Sequence, residues 1–555
     1  MKNALRTFLL SLTLFFLYQG VQGQRTVGLL QYNPDKSYDG FNLFFPHNQS
    51  TVFLINNCGE VVHRWADFDN YRPGNAVYLM PNGSILKCKR DQNPMVDSIW
   101  AGGGGAIVES RNWGNTVNWS FEQNNDSLRL HHDIAPMPNG NVLMISWELK
   151  SLEESLQAGR NPALIDQGKL WPDYILEYNP SLDSVVWEWH AWDHLVQDFS
   201  PVRENFGVVA DHPGKIDINF DTHDGHPDWM HANAIDYNPV LDQILISVPY
   251  FHEVWVIDHS TTTEEAASDS GGRSGMGGDL LYRWGNPLTY RQGTTEDQQL
   301  FFPHDIRWVK PEAQAGEEGF GLLSVFNNRV EAVVSTVNTF QTGVDPMTGL
   351  YSLENNTFTP TSFSRTEVHP EDSSLFHSTG LSSNQVLPNE NILVLSGRWG
   401  RAFEVTPDDE VVWDYIIPIR GGQPISQGEE LGINNNITFQ MRRYAPDYAA
   451  FTDRDLMFGE PLELNAGDPL CNSVVSIDPQ KEIDIKIFPN PVVDELSIEN
   501  LENGVHNLQV FDLLGNVIIQ QELLGSEAKL SLENLATGIY MLQVDRETSF
   551  TFLKQ

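Results

Sequence analysis

Histidine is the residue type with the most chemical potential here. The chain has 16 His, against 34 Lys and Arg and 74 Asp and Glu. Several share one context: a strand start, an Asp or Asn close behind, then a turn-and-strand unit. These are His131-His132-Asp133, His231-Ala232-Asn233, His304-Asp305 and, more weakly, His377-Ser378. An imidazole can attack an electrophilic sulfur or phosphorus and hold the group covalently. Further His and Arg then stabilise the oxygens on that group. Neutral imidazole is also the commonest metal ligand. The run Asp221, His223, Asp224, His226, Asp228, His231 is rich in donors, although its spacing fits no H-E-x-x-H or zinc-finger pattern. The plainer role for any single His is a buried, hydrogen-bonded structural residue, and for the run a solvated acidic loop. A G-x-S-x-G elbow and a P-loop lysine are both missing from the sequence. The AGGGGA stretch from Ala101 has no Lys and no helix pattern after it, which reads as a flexible turn. The segment WEWHAWDHL, Trp187 to Leu195, reads as packing or as an aromatic wall for a ring-shaped substrate.

Repeated strands must position these residues. Strands end in an aromatic after two β-branched residues in EVVHRW (Trp65), SVVWEW (Trp189) and EVVWDY (Tyr415), with DLLYRW (Trp284) a looser copy. Strand–turn–strand units begin at Ala76 (AVYLMPNGSILK), Asp133 (DIAPMPNGNVLMIS) and Asn384 (NQVLPNENILVLS). ANAIDYNPVLDQILISV, from Ala232, has a longer turn. Pro-Asn-Gly is good turn chemistry, and the apolar runs have strand length. About six units fit between Gln24 and Phe458, which predicts an all-β, six-bladed β-propeller over 24–457. Blades of roughly 70 residues exceed the 40–45 of WD repeats, so long insertions are expected at Gln157–Asp173, Phe199–Asp228 and Glu331–Val368. A His at the same point of successive blades would project toward one channel mouth.

Composition narrows the partners. The 555 residues include 15 Trp, and 11% are aromatic, so a large core is available. A net charge of −40 disfavours nucleic acid and anionic lipid, and no nucleic-acid partner is expected. The densest basic cluster is Lys87, Lys89 and Arg90 around Cys88. Three cysteines cannot build a disulfide framework; Cys58 and Cys88 can form one bridge, leaving Cys471 over. The opening MKNALRTFLLSLTLFFLYQGVQGQ reads as a secretory signal peptide over 1–23. Its apolar run is too short to span a bilayer and no later run reaches about 18 residues, so an exported, soluble chain is expected. After Phe458, a linker over 458–482 leads to alternating strands and turns, a small antiparallel β-sandwich over 483–555.

Two resemblances sharpen this reading. FPNP (Phe488–Pro491), FDLLGN near Phe511 and ATGIYMLQV from Ala536 resemble the C-terminal sorting domain of type IX secretion. That resemblance implies a Bacteroidota-type bacterium, the type IX machinery as a partner, and a secreted or cell-surface protein from which this domain is removed. The central region resembles the bacterial aryl-sulfate sulfotransferase family. The matching pieces are HHDIAPMPNGNVL, WMHANAIDYNPVLDQILISV, EVWVIDHSTT, FFPHDIRWV, GRAFEVTPDDEVVWDY and RRYAPDY. The resemblance implies sulfuryl transfer from an aryl sulfate to a phenol, ping-pong through a sulfo-histidine, with no nucleotide sulfate donor, no cofactor and no metal. By motif it makes His304 the nucleophile and His231 and His132 supporting donors, with Asn233, of the His-x-Asn motif, a substrate-binding residue. Two departures stand out. Pro249 occupies the family's Arg position in Ile-Ser-x-Arg, and Phe326-Asn327-Asn328-Arg329 replaces Phe-Asp-Asn-Gly. One lost oxyanion contact costs about 3–4 kcal/mol. Arg398 is the first expected replacement and substrate-binding cation, ahead of Arg329 and Arg307. Two rival readings remain: a non-catalytic propeller binding sulfated or phenolic ligands, and a metal-dependent extracellular hydrolase built on Asp221–His231.

Overall fold

The computed structural model describes residues 25–67, 73–90, 106–331, 333–370, 376–454, 456–466, 471, 485–499, 501, 504–512, 517–544 and 548–555. The expected signal peptide and the AGGGGA stretch lie outside them, except for Ala106. The chain divides into two compact units, Met1–Ser473 and Val474–Gln555.

The first unit is a propeller of antiparallel sheets. Six sheets carry four strands each, one of them with a fifth added. Their innermost strands are Thr438–Tyr444, Pro73–Leu79, Leu128–Pro136, Ala234–Asn238, Pro303–Trp308 and Ser383–Val386. Each packs on the next in that order, and the last returns to the first. The ring closes where Thr438–Tyr444 pairs with Phe41–Pro46, joining the two ends of the unit in one sheet. A second closure pairs Gly28–Tyr32 with Val411–Ile416. Closure removes the open edges that an isolated sheet would expose.

The repeated sequence units account for this architecture. The Pro-Asn-Gly turns join the two inner strands of a sheet, and Gly83 and Gly140 take φ of +82° and +88° there. An L side chain is strained in that conformation. The terminal aromatics seal the outer strands: Trp65, Trp189 and Tyr415 are fully buried. The Trp189 indole donates to Gly278 O at 2.7 Å, and Trp65 to Asn112 O at 3.1 Å. Truncating such a residue to Ala costs about 3–5 kcal/mol.

The Asp of each His-Asp pair straps neighbouring sheets together. Asp133 Oδ2 accepts from Ile235 N at 3.2 Å, and Asp305 Oδ2 accepts from Asn384 N at 2.7 Å. Asp236 does the same for Trp308 N at 2.8 Å. Largely buried Arg307 bridges Asp133 at 2.6 Å and Asp305 at 2.8 Å, and buried Arg442 also pairs with Asp305. Buried charges persist only when paired in this way.

Two expectations are revised. The insertion expected at Glu331–Val368 contains two strands of its sheet, Val334–Gln341 and Arg365–Glu367, so only the stretch between them is inserted. The disulfide joins Cys58 to Cys471, while Cys88 is a buried free thiol. The start of the expected linker packs on the propeller, since Pro461 bridges Glu60 and Leu462 is buried beside Leu29 and Tyr415.

The second unit is a two-sheet sandwich. Lys486–Phe488, Glu495–Glu499 and Ala528–Ser531 form one sheet; Gly504–Phe511, Val517–Gly525, Gly538–Val544 and Thr548–Lys554 form the other. Leu496, Ile498, Leu508, Val510, Leu530, Leu542 and Phe552 fill the space between.

Candidate active site at the channel mouth

The innermost strands bring His132, His231 and His304 together. The His132 and His231 rings meet edge-on with centroids 4.6 Å apart, and Phe302 links His231 (6.3 Å) to His304 (5.6 Å). Local backbone irregularity aims them. The pairing register slips around His132 and again just after His304, the signature of β-bulges, which re-aim side chains. His132 (φ +52°), His231 (+60°) and Asp305 (+50°) are left-handed. Strain of that kind, about 1–3 kcal/mol per residue, collects at functional sites.

His304 is fixed in one tautomer. Asn328 donates from Nδ2 to Ser378 O at 2.7 Å and to Leu381 O at 3.1 Å, so its Oδ1 must accept from His304 Nδ1–H at 2.6 Å. The lone pair therefore lies on Nε2, where Leu381 N–H donates to it at 3.1 Å. Burial, reinforced by the charge of His231, pushes the ring down to about 3, so His304 is neutral.

His231 has the opposite electrostatics. Burial alone would push its ring down, but Asp228 Oδ2 lies 2.5 Å from Nδ1 and its charge outweighs burial. The ring is raised above the ordinary histidine range. Sequence reasoning placed Asp228 in a metal-binding run, whereas here it is fully buried against His231. Asp221 of the same run is held by Arg160 at 2.5 Å. Asp221 and Asp228 are thus engaged with Arg160 and His231, and no metal-competent group of three or more His, Cys, Asp or Glu occurs among the described residues.

Two guanidiniums stand near His304. Gly380 lies between His304 and one of them: a Cβ there would lie 3.8 Å from His304 Cε1 and 3.9 Å from Arg398 Nη2. Arg398 donates from Nη1 to Asn434 Oδ1 at 3.0 Å, and its buried Nε has no partner. Arg329 lies over the Phe302 ring at 3.6 Å and donates from Nε to Thr379 O at 2.9 Å. Neither guanidinium has a carboxylate partner among the described residues. Arg307, the third expected replacement, is wholly engaged in the Asp133–Asp305 strap and is no candidate. Asn233 is fully buried. Its Oδ1 accepts from Ser247 at 2.5 Å and its Nδ2 donates to Pro303 O at 3.0 Å, so it braces the residue before His304.

Aromatic rings flank the imidazoles. Tyr250 follows Pro249 and packs on His231 (5.2 Å), Phe302 (5.5 Å) and His223 (4.2 Å). The Trp187–Leu195 segment does not supply this wall: Trp187 and Trp189 are buried in the sheet core. Asn328 and Asp228 are the partners that sequence reasoning did not assign. Their signals were an Asn in the strand that pairs with the His304 strand, and a carboxylate three residues before His231.

Comparison with known proteins bears on this mouth. Residues 29–265 match the arylsulfotransferase (ASST) family. The match spans His132 and His231 and stops before His304. Residues 486–555 match the secretion system C-terminal sorting domain, which marks the chain for secretion to the cell surface or beyond. No curated protein matches. Among solved structures, one of a protein of unknown function from Bacteroides caccae is 11% identical, with 73% of this chain and 99% of that chain covered and a TM-score of 0.38. Virginiamycin B lyase from Staphylococcus aureus is 9% identical, with 72% and 90% covered and a TM-score of 0.33. The Dos1 propeller is 8% identical, with 91% and 92% covered and a TM-score of 0.30. The arylsulfotransferase match supports sulfotransferase activity in general.

Proposed function

We propose that the protein is a secreted aryl-sulfate sulfotransferase working by ping-pong transfer through His304. The observation that carries this reading is the Asn328 tether, which leaves His304 Nε2 with a lone pair beside two guanidiniums lacking carboxylate partners. In a chain of net charge −40, such a place suits an anionic group. His304 Nε2 exchanges its bond to Leu381 N–H for one to sulfur. The N–S bond forms as the S–O(aryl) bond breaks, and the phenolate leaves with the electron pair. The sulfo-imidazolium keeps its Nδ1 proton on Asn328. An acceptor phenol then attacks sulfur and releases the one proton that the departed phenolate takes up, the N–S bond breaks, and neutral His304 returns. Arg329 and Arg398 hold the sulfuryl oxygens in place of the cation missing at Pro249. Cationic His231, oriented by Asp228, stabilises the charge that builds on the aryl oxygen. Phe302 and Tyr250 flank the aryl ring, and Asn233 acts as a strut rather than a substrate contact.

The test uses mature protein with a chromogenic aryl sulfate and a phenol, beside His304→Ala. Phenol-dependent release of chromophore and formation of the new aryl sulfate, both lost in the variant, are expected. Wild-type protein that neither releases chromophore nor makes the product refutes the reading.

A further inference from the structure

Behind His132 lies a line of buried groups that the reaction above leaves unused. His131 Nδ1 is 2.8 Å from His132 Nδ1, and His131 Nε2 is 3.0 Å from Asp173 Oδ1. The last two atoms are close without being aligned as a hydrogen bond, and neither has another partner; in unliganded sites such contacts are often misaligned. The other carboxylate oxygen, Asp173 Oδ2, accepts from Ala232 N at 2.6 Å, within the His231-Ala232-Asn233 motif. The His131 ring is clamped face to face on Trp147 at 3.8 Å. His131, His132 and Asp173 are all essentially buried. The series runs from the channel mouth through two imidazoles to a carboxyl group whose ion-pair partner among the described residues is an imidazole.

Two imidazoles facing each other through Nδ1 can share only one proton there, so the state of Asp173 decides which ring donates. With Asp173 protonated, its O–H faces His131 Nε2, His131 Nδ1–H points to His132 Nδ1, and His132 carries its proton on Nε2. With Asp173 ionised, His131 carries its proton on Nε2 and accepts at Nδ1 from His132 Nδ1–H. His132 Nε2 is then a bare lone pair. One proton moved along the line converts His132 from an acid into a base.

We propose that Asp173, His131 and His132 form a store for the one proton that a ping-pong sulfuryl transfer must release and then recover. The proposal rests on the sulfuryl-transfer reading above. In the first half-reaction the His132 Nε2–H bond breaks and its proton passes to the departing phenolate. The His131 Nδ1 proton moves to His132 Nδ1, and the Asp173 proton moves to His131 Nε2. In the second half-reaction the acceptor phenol gives its proton to His132 Nε2 as its oxygen attacks sulfur, and each transfer reverses. His132 is the catalytic acid and base; His131 and Asp173 are positioning residues acting through it. Burial supports the resting state, since it lowers both imidazoles well below their ordinary range and, together with nearby Asp228, raises Asp173 well above its own.

Asp173→Asn tests this. The amide keeps the shape, can accept from Ala232 N and can donate to His131, but it cannot give up a proton. His131→Phe, which keeps a ring against Trp147, cuts the line at its middle. Both variants and the wild type are assayed with phenyl sulfate, whose leaving phenolate needs a proton, and with 4-nitrophenyl sulfate, whose leaving group departs unaided. Turnover of phenyl sulfate should fall about 100-fold or more in each variant, the range of general acid catalysis, while nitrophenyl release should stay within about fivefold. A merely structural role would lower both esters together. Equal losses on the two esters, or no loss on phenyl sulfate, overturn the proposal. A wild type inert toward both esters, with no sulfuryl adduct on His304, overturns the sulfuryl-transfer reading and the proton store with it.

Discussion

Replacing Asp228 by Asn is the most informative perturbation of the supporting groups. The carboxylate lies 2.5 Å from His231 Nδ1, both groups are buried, and its charge overcomes the burial that would otherwise keep His231 neutral. A hydrogen bond to a charged group contributes about 1.5–3 kcal/mol. Losing this bond removes the carboxylate that raises the ring, so the ring falls. Burial, now unopposed by Asp228, adds to the fall. His231 then loses the partner that favours its cationic form, and the site loses stabilised positive charge. Removal of a comparable oxyanion donor costs about 10²–10³ in turnover. The assay is kcat/KM for an aryl sulfate over pH 5–9. The variant should lose about 100-fold at pH 7 and recover part of that loss toward pH 5, where His231 regains its proton. The sign for stability runs the same way. A raised folded-state pKa contributes stability that is fully present below about 6.5 and is lost as pH rises through the folded value, so Asp228→Asn should lower Tm more at pH 6 than at pH 9. A variant within twofold of wild type across the whole range would refute the role given to the pair.

Other predictions use separate groups. Asn328→Leu removes the acceptor that fixes the His304 tautomer and should lower sulfuryl transfer by about 10²-fold or more with little change in aryl sulfate binding, read as kcat against KM. Arg329→Gln and Arg398→Gln should each raise the Kd for an unreactive aryl sulfonate about tenfold or more, measured by calorimetry, because each removes a guanidinium with no carboxylate partner. His259, away from the channel mouth, is opposed by burial but raised to about 9 by Asp242 and Glu177. His259→Gln should therefore destabilise below about pH 6.5 by up to about 3 kcal/mol, and the difference should vanish as pH rises through 9. Cys58→Ser opens the bridge to Cys471 and should lower stability by about 2–5 kcal/mol in thermal or denaturant melts.

The fold was legible where a repeated unit had to repeat its packing. The strand-end aromatic and the Pro-Asn turn recur in several sheets because those sheets need the same seal and the same turn. The strand Val334–Gln341 escaped notice because its VSTVNTFQ sequence is Thr- and Asn-rich, and polar groups inside a sheet blur the apolar signal. His132, His231 and His304 converge because each lies on or just before an innermost strand, His132 in mid-strand rather than at the expected strand start. Their partners did not follow. Asn328 reaches His304 only through strand pairing, and Asp228 meets His231 only once the chain before the strand turns left-handed at His231. The Cys58–Cys471 bridge spans 413 residues and depends on ring closure, which no local pattern encodes.

The central claim is a covalent sulfuryl group on His304. Mature protein is mixed with aryl sulfate alone, quenched rapidly, and measured by intact mass followed by peptide mapping. One SO3 per chain on the peptide carrying His304, absent from His304→Ala and discharged on adding phenol, is the predicted result. Chromophore release from the wild type with no adduct, or an adduct that persists in His304→Ala, would contradict it.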